Sequence, residues 1–272
     1  MFHVKHEPFI VKEDKSYIAV YKPSGMHCVP LHIGETGTLL AWCAELFPEV
    51  LSVMGKKPIE GGIIHRLDFD THGLVLFARH QAFWDSLWKQ QTEGTFLKEY
   101  EAVAAKSDTK LPPLMLEGFP PLPLVDIKQL PLSIFSAFRP YGRGRKAVRP
   151  VVCYSTPSKE KFSCKKRKSA EIALDQDKPY KTEILSIEPE KIIIQPSIAT
   201  NAPVLTEDSF RFKVRLCRGF RHQIRCHLAW LGYPLLNDSL YGGKNTGQSL
   251  ALFAQAIAFK NPETGKLEEI RV

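Results

Sequence analysis

The chain predicts an α+β fold built on a largely antiparallel central sheet flanked by helices. Three observations carry this. Short runs with strand character recur along most of the length, and helix-like runs are few. Strands and helices do not alternate as parallel βαβ units require. No internal repeat divides the 272 residues, a length that buries a substantial core. One domain over residues 1–272 is expected, interrupted by a proline-rich, basic insert at about 107–178.

Each element follows from local pattern. Phe9–Val11 and Tyr17–Tyr21 are β-like runs, and Lys22-Pro23-Ser24-Gly25-Met26 ends the second with turn chemistry. Thr38–Phe47 holds no breaker and reads as a helix, with Thr38 as N-cap and Pro48 closing the far end. Leu74–Ala78 is a buried strand. Gln81–Gln91 is a helix, with Phe83, Leu87 and Trp88 near helical spacing. Phe96–Val103 alternates like a strand with one face in the core. Residues 107–178 show weak periodicity. Strand character returns at Tyr180–Ser186, Lys191–Ile194 and Phe210–Leu216. Arg221–Leu231 reads as a helix, and Leu250–Phe259 and Leu267–Val272 close the chain as strands.

Composition narrows the function classes. The net charge is +8, which favours anionic partners, nucleic acid first among them. Between Arg139 and Lys168 stand eleven basic residues and one acid, Glu160. No run approaches the roughly 18 apolar residues of a spanning helix, and Met1–Pro8 lacks a signal-peptide core. A cytoplasmic monomer without membrane contact is expected. The six cysteines form no Cys-x-x-Cys pair, so neither a disulfide framework nor a structural metal is expected.

Three constellations carry chemistry. In His65-Arg66-Leu67-Asp68 a carboxylate follows an arginine by two residues. The nearby charge would hold Asp68 ionised, and an ionised carboxylate in a dry pocket is a competent nucleophile. A surface ion pair is the bland alternative. In Lys98-Glu99-Tyr100 the outer two residues share a strand face. A tyrosine there can stack on a base and offer its hydroxyl, or simply be a half-buried strand aromatic. In Arg218–Leu228 a helix would put Ile224, Leu228 and Leu231 on one face. Arg218, Arg221 or His222, and Arg225 would fall on another, facing phosphates, a carboxylate or solvent.

These pieces, in order, resemble the motifs of RluA-type pseudouridine synthases. Tyr21–Met26 resembles the family's Asn-Lys-Pro-x-Gly. His65–Gly73 resembles His-Arg-Leu-Asp-x-x-Thr-Ser-Gly, and Lys98-x-Tyr100 its Lys-x-Tyr. Gly219–Leu228 resembles Gly-Arg-x-His-Gln-Ile-Arg-x-His-Leu, and Gly232–Gly242 resembles Gly-His-Pro-Ile-x-Gly-Asp-x-x-Tyr-Gly. The match covers about 9–105 and 178–272. It implies the synthase fold with a catalytic cleft, and isomerisation of uridine to pseudouridine in structured ribosomal or transfer RNA, with no cofactor and no metal. Asp68 would be the nucleophile. Tyr100 would stack on the uracil and assist at C5, and Arg225 would pair with Asp68 across the cleft. His65, Arg66, Thr71, Arg221, His222 and Gln223 would contact RNA. The target must leave its stack, so base flipping is implied.

Three positions depart from the pattern. Tyr21 stands for asparagine, His72 for serine and Phe220 for arginine, with Arg221 as a candidate for the displaced charge. No N-terminal S4 domain is expected before Phe9. Arg143, Arg145 and Lys146 are expected to grip phosphates in its place, while Lys165–Lys168 reads as a charged tip.

Two other classes compete. A catalytically silent RNA-binding protein of the same fold would not need Asp68, Tyr100 and Arg225 together. Asp68-Phe-Asp70-Thr71 also partly matches the nucleophile loop of magnesium-dependent phosphatases, with the threonine one residue early. That chemistry needs an apolar strand ending just before the first aspartate, where this chain has His65-Arg66. His72 excludes an aspartic-protease Asp-Thr-Gly. Arg66 argues against a metal site of His65, Asp68, Asp70 and His72.

Overall fold

A computed structural model describes residues 5–107, 118–121, 125–151, 179–194 and 205–272. The strands are β1 (Phe9–Glu13), β2 (Tyr17–Lys22), β3 (His72–Ala78), β4 (Leu97–Ala105), β5 (Leu132–Tyr141), β6 (Ala147–Val151), β7 (Tyr180–Ile194), β8 (Leu205–Leu216), β9 (Leu252–Lys260) and β10 (Leu267–Arg271). The α-helices are α1 (Leu39–Leu46), α2 (Gln81–Glu93) and α3 (Gln223–Trp230). The strands form one sheet in the order β1-β2-β3-β9-β4-β8-β7-β5-β6, with β10 on β9. Only the β3–β9 contact is parallel among the described pairs. The expected α+β class with a mostly antiparallel sheet is what the chain forms.

Burial explains which strands read as continuous apolar runs. On β2, Ile18 and Val20 join the core beneath α1 and α3, while Tyr17 and Ala19 join the core beneath α2. On β3, Val75 and Phe77 face the first core, and Leu74, Leu76 and Ala78 the second. A strand covered on both faces loses its polar alternation. β4 is covered on one face along its length and on the other only at its end, where Val103 and Ala105 pack with Leu236. Tyr100, Ala102 and Ala104 point into the first core. Glu99 and Glu101 point the other way and pair with Arg215 and Arg211 on β8, at 2.8 and 2.7 Å.

Local chemistry sets the helix ends. Thr38 Oγ1 accepts from Ala41 N at 3.2 Å and opens α1. Gly94, at φ 79°, closes α2 two residues beyond the expected end. At Gly73, φ is 121° and a Cβ would collide with the Ala254 backbone, so only glycine lets β3 approach β9.

Two expectations need correction. Residues 107–178 are not simply an insert, because β5 pairs with β7 and β6 with β5 as part of the sheet. Proline and charge masked that periodicity: Pro140 and Pro150 lie within these strands. Tyr180–Ile194 is one strand, not two. Pro189 interrupts the pattern but not the ladder, because β5 pairs with β7 only over Tyr180–Ile184. Among the described residues no strand pairs with that side of β7 at Pro189, a position where a residue without an N–H is tolerated. The expected charged tip at Lys165–Lys168 lies outside the described residues. No helix among the described residues is long and apolar enough to cross a membrane.

Candidate active site

Asp68 sits in the loop before β3, and the Lys22–Cys28 segment is its cradle. Lys22 is fully buried and its Nζ donates to the carbonyls of Pro23, Met26 and Phe69 at 2.8, 2.8 and 3.1 Å. Gly25 N also donates to Phe69 O, and Ser24 Oγ to Asp70 O. Cys28 Sγ accepts from Leu67 N at 3.2 Å. The early Lys-Pro-Ser-Gly turn thus fixes the backbone on both sides of Asp68. Burial lowers the Lys22 ammonium to about 8, so it is largely charged at neutral pH and keeps its three donors.

The opposite wall is the loop into α3. His222 has left-handed backbone angles (φ 56°, ψ 20°), an unusual conformation for a non-glycine residue. It directs its backbone N–H to Asp68, and its Nε2 lies 4.0 Å from Asp68 Oδ2. Arg225 Nη1 lies 3.7 Å from the same oxygen. Arg225 is itself held by Asp238, with Nε and Nη2 each donating at 2.8 Å to separate carboxylate oxygens. Tyr241 is the next support: its ring lies 5.6 Å from the Arg225 guanidinium, and its hydroxyl accepts from Val148 N at 2.8 Å. Tyr100 and Lys98 enter the same cleft from β4, which has a volume of 790 Å³.

The electrostatics differ from the expectation. Arg66 does not hold Asp68 ionised. Its guanidinium turns to Glu60 at 2.8 Å, and the cation beside Asp68 is Arg225. Burial raises the Asp68 carboxyl above its ordinary value, and Arg225 offsets this only in part. A side-chain exposure of 21% leaves Asp68 reachable. Burial works against the charge of Arg225, and the Asp238 pair more than reverses it. Burial, reinforced by Asp68, raises the Tyr100 phenol and keeps it protonated. Burial and the cations Arg225 and Arg221 lower His222 to about 3, so its ring is neutral near pH 7.

The remaining expected contacts divide. Asp68, Tyr100, Arg225, Arg66, His65, Thr71, Arg221, His222 and Gln223 all line this cleft. Gln223 is a correction, because its side chain is engaged within the protein. Its Oε1 accepts from Phe220 N at 2.9 Å, and its Nε2 donates to Lys181 O and Thr182 Oγ1. Its work is to tie α3 to β7. His65 and Thr71 are buried in the wall, without side-chain hydrogen bonds among the described residues. Arg221 Nη2 donates to the carbonyls of Arg145 and Ala147 at 2.9 and 3.2 Å. Arg143, Arg145 and Lys146 form the exposed β5–β6 turn, which that contact anchors beside the cleft.

The expected basic face of the last helix is also corrected. α3 starts at Gln223, leaving Arg218 and Arg221 in the preceding loop, and every α3 residue is buried. The departures become packing. Phe220 stacks on Phe138 at 5.0 Å, His72 on Phe253 at 5.2 Å and Tyr21 on Phe9 at 4.8 Å. Among the described residues no strand stands directly before Asp68, since β3 begins after it. That removes the strand-then-nucleophile geometry of the phosphatase reading.

Asp238 was absent from the expected site. The signal was its place in the Gly232–Gly242 motif, but nothing local in sequence says that a carboxylate thirteen residues after Arg225 would hold it.

The fold matches solved pseudouridylate synthase domains. The human RNA pseudouridylate synthase domain containing 1 superposes with a TM-score of 0.59 at 17% identity, covering 98% of this chain and 83% of that one. That likeness shows the pseudouridylate synthase fold. Residues 16–230 match the RNA pseudouridylate synthase family, and the chain belongs to that family. Curated relatives include an uncharacterized RNA pseudouridine synthase, YhcT, of Bacillus subtilis, 28% identical over 95% of this chain. Another is the ribosomal large subunit pseudouridine synthase D of Pasteurella multocida, 26% identical over 96%. The chain spans 66% and 65% of their respective lengths, just under two thirds.

Proposed function

We propose that this protein isomerises uridine to pseudouridine in structured ribosomal or transfer RNA, with Asp68 as the nucleophile. The reading rests chiefly on one observation: the Asp68 carboxylate opens into a cleft with Arg225 at 3.7 Å and Tyr100 on the same wall. In the reaction the N1–C1′ bond breaks, the uracil turns, and C5 bonds to C1′. C5 loses its proton and N1 regains one, so the substrate supplies every atom and no cofactor is required.

The residues divide the work. Arg225 favours the ionised form of Asp68, and Asp238 fixes the angle of Arg225. The protonated Tyr100 stacks on the uracil and offers a hydroxyl near C5; as a phenol held above its ordinary range it is a poor base on its own. Base flipping brings the uridine to Asp68, and the exposed Arg66 and the Arg143, Arg145 and Lys146 turn meet phosphates. The relative named for the ribosomal large subunit makes ribosomal RNA the first substrate to assay.

The test is carbodiimide-dependent reverse-transcription stops in RNA from cells lacking the gene, complemented with wild type or Asp68→Asn. Stops restored by wild type alone are expected. Stops that persist with Asp68→Asn would refute Asp68 as the nucleophile, and no stops with either protein would refute the activity.

A further inference from the structure

The cleft that holds Asp68 is also lined by Lys56, Trp84, Trp88, Gln91, Thr92 and Arg218. Its total of 790 Å³ lies high in the roughly 300–1,000 Å³ of sites for whole drug-sized ligands. That is more room than one everted nucleoside needs.

Trp88 is the unusual residue among these. It is half-buried on α2, and its ring stacks on Trp84 at 5.3 Å with the planes 9° apart. Trp84 is buried and its Nε1 donates to Ile63 O at 2.9 Å. Gln91, one turn on, donates to Ile64 O at 2.8 Å. The platform therefore hangs from Ile63-Ile64, the segment that runs into His65–Asp68. Its position relative to Asp68 is fixed by the same short stretch of backbone. Lys56 Nζ lies 5.5 Å from the Trp88 ring. The acids lining the cleft are Glu60, paired with Arg66, and Asp68 itself. A preset aromatic plane among cations is the chemistry that holds an unpaired base and its phosphate.

We propose that Trp88, with Lys56, forms a second RNA subsite that stacks one unpaired base flanking the uridine presented to Asp68. This rests on the isomerase reading and adds to it a requirement for a single-stranded neighbour. Lys56 swings from the ring to the phosphate of the stacked nucleotide. A purely structural Trp84–Trp88–Lys56 clamp predicts a loss of stability on truncation and no link to any base.

The probe is a twelve-nucleotide single-stranded RNA with one central uridine among adenosines, and with an abasic ribose placed in turn at each flanking position. Its binding is measured to the full chain as wild type, Trp88→Ala, Trp88→Phe and Lys56→Ala. Trp88→Ala weakens binding about 5- to 150-fold, the range for loss of one stacked base. Trp88→Phe retains most of the affinity and controls for folding. One abasic position weakens wild type to the same degree and costs Trp88→Ala nothing further. Equal abasic penalties in both proteins, unchanged binding by Trp88→Ala, or no binding of the probe by wild type would overturn the subsite. The isomerase reading is judged separately by the Asp68→Asn stops, so either can fail alone.

Discussion

Replacing Asp238 by asparagine should separate what positions Arg225 from what reacts. The guanidinium of Arg225 and the carboxylate of Asp238 are 4% and 0% exposed, and they share two bonds of 2.8 Å. Removing one partner of such a buried pair costs about 3–5 kcal/mol. Asparagine keeps one acceptor, so the lower figure applies. At about 2–4 °C per kcal/mol, the melting temperature falls by about 6–12 °C. The charge change also acts on Asp68. Asp238 pushes the Asp68 carboxyl upward while Arg225 pulls it down. With Asp238 neutral, Arg225 acts unopposed, and the acid limb of the rate profile moves to lower pH. Thermal unfolding by circular dichroism and single-turnover isomerisation across pH read the two effects. The double variant Arg225→Met/Asp238→Leu should recover much of the lost stability, since apolar groups often replace buried ion pairs at no net cost, yet regain no activity. An unchanged melting temperature together with a fixed acid limb would refute Asp238 as the support of Arg225.

The other expectations concern the surrounding frame. Isomerisation should fail as pH falls through a value above the ordinary aspartate range of about 3.9, because the raised Asp68 carboxyl then takes up its proton. His222→Asn should leave that limb in place, since His222 is neutral until about pH 3 and asparagine tolerates its left-handed backbone; a limb that vanishes would assign the titration to His222. Lys22→Met should cost at least about 3 kcal/mol in denaturant unfolding, because three carbonyls, one buried and two partly buried, lose a charged donor, and a loss below about 1 kcal/mol would deny Lys22 its role as a strut. Reversing Arg143, Arg145 and Lys146 to glutamate should weaken RNA binding and flatten its salt dependence by up to about one unit of log–log slope for each phosphate no longer neutralised. An unchanged slope would remove the turn from the RNA interface.

Much of the fold was legible because local rules and tertiary packing agree. Thr38 caps α1 as its hydroxyl predicts, and β4 alternates over Leu97–Ala102 because one face is covered there and the other carries Glu99 and Glu101. Reading failed where they disagree. β6 is an edge strand, and Pro140 lies in the part of β5 beyond its pairing with β7; a one-dimensional pattern does not show which stretches lie at an edge. Pro189 looked like a boundary only because sequence does not show that β5 pairs with β7 just over Tyr180–Ile184.

For the site, sequence alone determined the residue types and their order: the carboxylate at 68, the phenol at 100, the guanidinium at 225 and the turn at 22–26 that accompanies them. Tertiary structure decided which cation serves which anion. Arg66, two residues from Asp68, is turned to Glu60, while Arg225 arrives from α3 and depends on Asp238. It also decided the sign of the Asp68 shift, because burial is a property of the assembled cleft and outweighs the neighbouring charge. Chain proximity fixes what can be near; only the packed sheet and helices fix which way each side chain turns and how much water it keeps.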